Sequence, residues 1–197
     1  KEDKRIAAGM MYGSFTNGEG DRYSDVEFYI FLEEDEAESF VSRSWVSEIY
    51  PIGLMFKNEY GTEVAIFENL IRAEFHFLPA SQIDIIKEFK FVGYFPNPEA
   101  MYLYDSTDKL SSLLDYIGGT AAERNTEENI SMVINNLINT WLLGINVLKR
   151  GELARSLATL SEIQKYTAQL IRIKENSTEH WVNQTKQLEE EISSDSY

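Results

Sequence analysis

The sequence contains no cysteine among its 197 residues and only two histidines. The absence of cysteine excludes disulfide bonds, thiolate zinc sites and cysteine nucleophiles. Two histidines leave little for a metal centre built on imidazole ligands. A metal site in this chain would therefore use oxygen ligands, which favour hard cations such as magnesium.

Positive charge is also scarce, because 18 lysines and arginines stand against 33 aspartates and glutamates, for a net charge of −15. A surface that binds duplex nucleic acid needs clustered Lys and Arg, so we expect no nucleic-acid partner. A cationic small molecule is a better electrostatic match, although solubility alone accounts for most such charges. No uninterrupted apolar run is long enough to span a bilayer, and the first residues lack the pattern of a signal peptide. We therefore expect a cytoplasmic protein without membrane association.

The remaining composition supports a packed core, since 43% of the residues are hydrophobic and 13% are aromatic. Up to residue 120, short alternating segments predict strands joined by turns. After Asn125 the apolar residues recur at helical spacing, and Asn125 with Glu128 matches a capping box. We predict an α+β fold, with a mixed β-sheet and flanking helices in residues 1–120 and a helical bundle domain in residues 121–197.

A short motif near the N-terminus carries the chemistry. Gly13 and Ser14 follow the first predicted strand, and Asp25 and Glu27 open the second. Side chains two residues apart share a strand face, and two such carboxylates repel each other unless a cation binds there. The turn can hold phosphate oxygens through its N–H groups and the serine hydroxyl. Each half is common alone, but together they predict a divalent metal beside a phosphate site; no P-loop motif is present.

Glu74 is a third candidate carboxylate, on a predicted strand whose polar face also carries Arg72 and His76. If the strands are neighbours, Glu74 points over the same surface as Asp25 and Glu27. It could then help to hold two metal ions ~4 Å apart, or take a proton from an attacking hydroxyl. The alternative is a structural ion pair with Arg72.

Basic residues cluster where two C-terminal helices are predicted to meet, namely Lys149, Arg150 and Arg155. They could neutralise a triphosphate. They could equally stabilise the C-terminal end of a helix through its dipole, without any ligand. The sequence favours neither interpretation.

The motif of Gly13, Ser14, Asp25 and Glu27 resembles the signature of the DNA polymerase β-like nucleotidyltransferase superfamily. The wider sequence resembles the lincosamide nucleotidyltransferases, which are antibiotic-resistance enzymes of a two-domain type. This resemblance extends over nearly the whole chain and is carried by four segments: Met10–Thr16, Tyr29–Leu32, Lys57–Val64 and Gly144–Glu152. One departure is that the second motif carboxylate is Glu27, where many superfamily members have Asp. Family members also extend further at both ends.

The resemblance implies transfer of a nucleoside monophosphate from a magnesium-bound triphosphate, with two metal ions expected, to a hydroxyl of lincomycin or clindamycin. Pyrophosphate would be released. It implies that Asp25 and Glu27 bind the metal, that Glu74 is the catalytic base and that Ser14 contacts the triphosphate. One alternative is an aminoglycoside acceptor. Another is a non-catalytic nucleotide-binding or toxin–antitoxin partner domain of the same fold. A homodimer is conceivable by analogy.

Overall fold

The computed structural model describes residues 3–196, which form two compact units. The first unit contains the residues up to Lys90 together with Phe95–Thr120. The second contains Phe91–Tyr94 and the residues from Ala121 onward. All strands of the described chain lie in the first unit, and the second is helical. The predicted α+β class, a mixed sheet followed by helices, is confirmed.

The first unit is built on a mixed sheet with the strand order β3-β4-β5-β2-β1-β6. In chain order the strands are β1 (Ile6–Tyr12), β2 (Val26–Leu32), β3 (Ile52–Lys57), β4 (Glu63–Phe67), β5 (Arg72–Pro79) and β6 (Tyr102–Asp105). β2 and β5 pair in parallel, whereas the other neighbours are antiparallel. The first residues of β2 and β5 therefore lie at the same edge of the sheet.

Each face of this sheet is covered by its own apolar cluster. One cluster joins Phe31 of β2 to Ile83 and Ile86, which lie in a 3₁₀ helix (Ala80–Glu88), and to α4 (Leu110–Ile117). The other joins Phe75 of β5 to Val46 of α2 (Ser42–Ser47). The alternation predicted for β2 and β5 is confirmed, so the polar residues of both strands share one face with the first cluster.

The second unit contains two long helices, α5 (Glu127–Lys149) and α6 (Leu153–Glu175). They are joined at Gly151, whose φ of +76° is a conformation that glycine adopts without steric cost. The helices approach closely at Gly144, where an added Cβ would lie 3.1 Å from Cγ2 of Thr159. The close packing of this pair therefore depends on a residue without a side chain in the middle of an apolar helix.

The predicted cap of α5 is wrong by one residue. Thr126, not Asn125, is the N-cap, and its hydroxyl accepts a hydrogen bond of 3.2 Å from the backbone N–H of Asn129. Both Asn and Thr cap helices well, so the sequence alone does not decide between two adjacent candidates. Glu128 consequently lies in the first turn of the helix and not at the third position after the cap.

A buried arginine holds the chain after α6 against that helix. Arg172 is 0% exposed. Its guanidinium donates to the carboxylate of Glu191 at 2.6 Å and to the backbone carbonyls of Gln184 at 2.7 Å and Ser177 at 3.1 Å. Because this fully buried guanidinium donates from Nε and Nη1 to groups of the chain after α6, Arg172 is a structural anchor of the second unit.

Within residues 3–196, α5 is the one helix that is long and apolar enough to cross a membrane, judged by length and composition alone. Its most apolar 18-residue window has a mean hydropathy of 1.3. Counting uninterrupted apolar runs missed this helix, because Asn135, Asn136 and Asn139 interrupt its sequence. Only 11% of that window is buried within the structure, and the absence of membrane association stays a prediction.

Candidate active site

The structure brings the three predicted carboxylates to one edge and one face of the sheet. Glu27 of β2 lies directly opposite Glu74 of β5 in the parallel ladder. Asp25 precedes Glu27 by two residues, just before β2 begins, and so projects from the same face. The cluster arises because two parallel strands begin side by side with acidic residues at matching positions.

Arg72 lies within this cluster and forms ion pairs with both Asp25 and Glu74. The structural alternative considered from the sequence, a pair between Arg72 and Glu74, is therefore present, and it extends to a second carboxylate. The side chain of Glu74 is 16% exposed and that of Arg72 is 45% exposed. The more buried carboxylate is thus neutralised by a cation that reaches it from the solvent side.

The Gly13 turn lies against Glu27. Tyr12, the last residue of β1, pairs with Glu27 in the antiparallel ladder, and α1 (Ser14–Asn17) begins immediately after Gly13. Gly13 has φ of 88° and ψ of −158°, a region occupied almost only by glycine. A Cβ at this position would lie 1.9 Å from Oε2 of Glu27. The predicted phosphate turn and a predicted metal ligand are therefore in direct contact.

The donor set of this edge fits a hard divalent cation. Asp25, Glu27 and Glu74 offer only carboxylate oxygens, the ligands that magnesium prefers. The guanidinium of Arg72 already supplies positive charge between two of them. A phosphate at the Gly13 turn would meet the Glu27 carboxylate, and a cation between the two anions would remove that repulsion. In the described part of the chain, no group of three or more His, Cys, Asp or Glu side chains is arranged to hold a metal ion in the present side-chain positions.

An aromatic group lies beside the carboxylates on the same face. The hydroxyl of Tyr12 is 3.1 Å from Nε2 of His76, and the His76 ring stacks on Tyr29 with centroids 4.2 Å apart. Burial lowers the pKa of His76 below 6.5, although the charge of Glu74 opposes this shift. Burial, reinforced by the charge of Glu27, raises the pKa of Tyr12. Both groups are therefore uncharged at neutral pH, and they tie together the three strands that carry the motif.

The remaining predicted site residues, Lys149 and Arg150, belong to the second unit, whereas the carboxylates belong to the first. Both are exposed, Lys149 in the last turn of α5 and Arg150 as its C-cap. Arg155 pairs with Glu152 at 3.2 Å. This placement matches the helix-dipole interpretation, and contact with a triphosphate stays a prediction.

Residues 126–197 match the sequence model of a family described as "Lincosamide nucleotidyltransferase-like, C-terminal domain". The C-terminal part of the chain, 126–197, is thus similar to this family. The match confirms the resemblance to the nucleotidyltransferase superfamily that the Gly13–Glu27 motif indicates at the other end of the chain. A segment similar to this family's C-terminal domain thus follows, along the sequence, the unit that holds the carboxylates, which supports a transferase of nucleotidyl groups.

Among solved structures, the chain is similar to an aminoglycoside 6-adenyltransferase from Bacillus subtilis, with 13% sequence identity and a TM-score of 0.36. The similarity covers 98% of this chain and 71% of that one. A likeness of this degree has no bearing on the acceptor of this chain. Among curated proteins, none matches the chain significantly.

Proposed function

We propose that this chain is an antibiotic-modifying O-nucleotidyltransferase that transfers a nucleoside monophosphate from a nucleoside triphosphate to a hydroxyl of a lincosamide. The observation that carries the proposal is the register of Glu27 opposite Glu74, with Asp25 on the same face and the Gly13 turn against Glu27. The family match of residues 126–197 supports a lincosamide such as lincomycin or clindamycin as the acceptor.

Asp25 and Glu27 would hold magnesium, which when bound would neutralise the negative charge that develops on the transferring phosphoryl group. The backbone and hydroxyl of Ser14, together with the backbone of Gly13, would donate hydrogen bonds to phosphate oxygens. Because the Glu27 carboxylate touches the Gly13 turn, the metal-binding and phosphate-binding groups are adjacent.

Glu74 would act as the general base. It accepts the proton of the acceptor hydroxyl while that oxygen forms a bond to the α-phosphorus, and the bond to the leaving pyrophosphate breaks. The position of Glu74 is fixed by its backbone pairing with Glu27 on one side and Val64 on the other. A fixed carboxylate beside the metal ligands can meet a hydroxyl aligned for in-line attack.

The acceptor must enter a protein of strongly negative charge. With a net charge of −15, the chain attracts cations and repels anions over several ångströms. An acceptor that carries a protonated amine would be favoured on approach, whereas the triphosphate would need its magnesium to approach the same edge. The charge balance therefore supports an amine-bearing antibiotic as substrate.

The test is an acceptor panel of clindamycin, lincomycin and an aminoglycoside with magnesium and each of four nucleoside triphosphates, read by mass spectrometry. We expect clindamycin and lincomycin to gain one nucleoside monophosphate. Modification of the aminoglycoside alone would contradict the lincosamide proposal and favour an aminoglycoside as the acceptor. Nucleotide binding without modification of any acceptor would instead favour a non-catalytic binding domain.

A further inference from the structure

Arg72 contacts the candidate site but has no role in the proposed reaction. It is the first residue of β5, and its guanidinium forms ion pairs with Asp25 and Glu74. These are a proposed metal ligand and the proposed base. The reaction needs both carboxylates for other partners, so the arginine and the reaction compete for the same oxygens.

A guanidinium and a divalent cation are alternative counter-ions for such a pair. Like carboxylates close together repel, and either cation removes the repulsion. The guanidinium does so with a planar fork that can bond two carboxylates at once. The metal would bind Asp25 together with Glu27, so a guanidinium held on Asp25 would compete with the metal for that carboxylate.

A cavity beside Arg72 offers space for its side chain. This cavity of about 410 Å³ lies beside the Asp25 carboxylate and is lined by Arg22, Tyr23, Ser24, Asp25, Asn69, Leu70, Ile71 and Arg72. Arg72 itself lines this cavity and belongs to neither apolar cluster, so moving the guanidinium there would not draw a core side chain out of its place.

The backbone that carries Arg72 is fixed, so only the side chain needs to move. Arg72 pairs with Ile66 across the β4–β5 ladder. In the preceding turn the Asn69 side chain accepts a hydrogen bond of 3.1 Å from the N–H of Ile71, and Leu70 has φ of +66°. A change of rotamer of this one long side chain would therefore be enough to release the Asp25 carboxylate.

We propose that Arg72 is the built-in counter-ion of the acidic edge, and that a divalent metal binds there by displacing its guanidinium into the adjoining cavity. This inference rests on the proposed function, because it takes Asp25 and Glu27 as the metal ligands. Arg72 holds the carboxylates together when no metal is bound, and it lowers the apparent affinity for the metal because it must be displaced first.

The experiment measures binding of Mn²⁺ alone, by calorimetry and by the loss of the free-ion paramagnetic resonance signal, in wild type, Arg72→Gln and Arg72→Lys. Removal of a competing unit charge next to the metal should tighten Mn²⁺ binding by roughly tenfold in Arg72→Gln. The Mn²⁺ affinity of Arg72→Lys should lie between those of wild type and Arg72→Gln, because one ammonium cannot bridge two carboxylates as a guanidinium does.

Arg5→Gln is the matched control. Arg5 pairs with Asp3 at 2.6 Å and is 40% exposed, close to Arg72 in exposure. It precedes β1, and therefore lies at the opposite end of that strand from Tyr12 and the acidic edge. The Arg5→Gln variant loses the same charge as Arg72→Gln but far from the carboxylates, so its Mn²⁺ affinity should stay close to that of wild type.

A second readout is the melting temperature in EDTA. Arg72→Gln should lower it more than Arg5→Gln does, and Mn²⁺ should restore it. If wild type binds Mn²⁺ and Arg72→Gln binds it no more tightly, the displacement of Arg72 is wrong while the metal site of the proposed function stands. If neither binds Mn²⁺, both the metal site and this inference fail.

Discussion

Gly13→Ala separates the backbone requirement of the phosphate turn from its contact with Glu27. The substitution places a methyl group at φ of 88° and ψ of −158°, at a position 1.9 Å from Oε2 of Glu27. The carboxylate is the end of a flexible side chain, so it will move aside. The backbone cannot escape its strain in the same way, because Tyr12 is fixed by its pairing with Glu27.

The two effects have different magnitudes and different readouts. An L-residue in this conformation costs about 1–3 kcal/mol. For a chain of this size that corresponds to a fall in melting temperature of roughly 2–12 °C. Displacement of Glu27 should weaken Mn²⁺ binding by roughly 10- to 100-fold, as found when the groups that orient metal ligands are disturbed.

Gly18→Ala is the matched control, because Gly18 caps the other end of α1, with φ of 79° and no atom within 4 Å of an added Cβ. Thermal unfolding followed by circular dichroism and Mn²⁺ titration by calorimetry would be run on both variants and on wild type. We expect both to melt earlier and Gly13→Ala alone to lose metal affinity. Wild-type Mn²⁺ affinity in Gly13→Ala would refute the assignment of Glu27 as a ligand beside this turn.

Three further predictions concern stability. Burial lowers the pKa of His76 below 6.5, so the unfolded state takes up the proton first as the pH falls. The free energy of unfolding, measured by urea titration from about pH 5 to 7.5, should therefore decrease below about pH 6.5. The decrease should be smaller in His76→Asn, and the same pH dependence in both proteins would contradict this. Arg172→Gln removes the buried donor of Glu191 and of two backbone carbonyls and should destabilise the second unit by about 1–3 kcal/mol in calorimetry, whereas a loss below about 0.5 kcal/mol would exclude an anchoring role. Thr126→Ala should lower the free energy of unfolding by about 1 kcal/mol in urea, and Asn125→Ala should not.

The parts of the fold that follow from local pattern could be predicted from the sequence. The period of two in β2 places Asp25 and Glu27 on one face, and the same period in β5 places Arg72, Glu74 and His76 together. An apolar opposite face then requires that the polar faces look the same way. The shared surface of the three carboxylates was therefore predictable on the condition that β2 and β5 are neighbours, and alternation alone does not establish that condition.

The contacts that depend on register could not be predicted. The ion pair between Arg72 and Asp25 joins residues 47 positions apart, and the contact of Tyr12 with His76 joins residues 64 apart. Both require that β2 pairs in parallel with β5 at the offset that puts Glu27 opposite Glu74. Alternation indicates the face of a side chain but not its partner on another strand.

Arg172 shows a different limit of sequence reasoning. In the sequence it is one of several charged residues on α6, a type that is almost always solvated. Its burial is caused by the chain after Asn176, which folds back and offers the carbonyls of Ser177 and Gln184. The spacing of residues within a helix does not indicate that an irregular segment further along the chain supplies hydrogen-bond acceptors to one of them.

The central claim, that Glu74 serves nucleotidyl transfer to a lincosamide, is tested most directly by comparing wild type with Glu74→Gln. Both would be incubated with ATP, magnesium and clindamycin, and pyrophosphate and nucleotidylated clindamycin would be quantified together. We predict equal amounts of the two products from wild type, and none from Glu74→Gln although it still binds ATP. Wild-type turnover in Glu74→Gln, or pyrophosphate release that does not depend on clindamycin, would contradict the assignment.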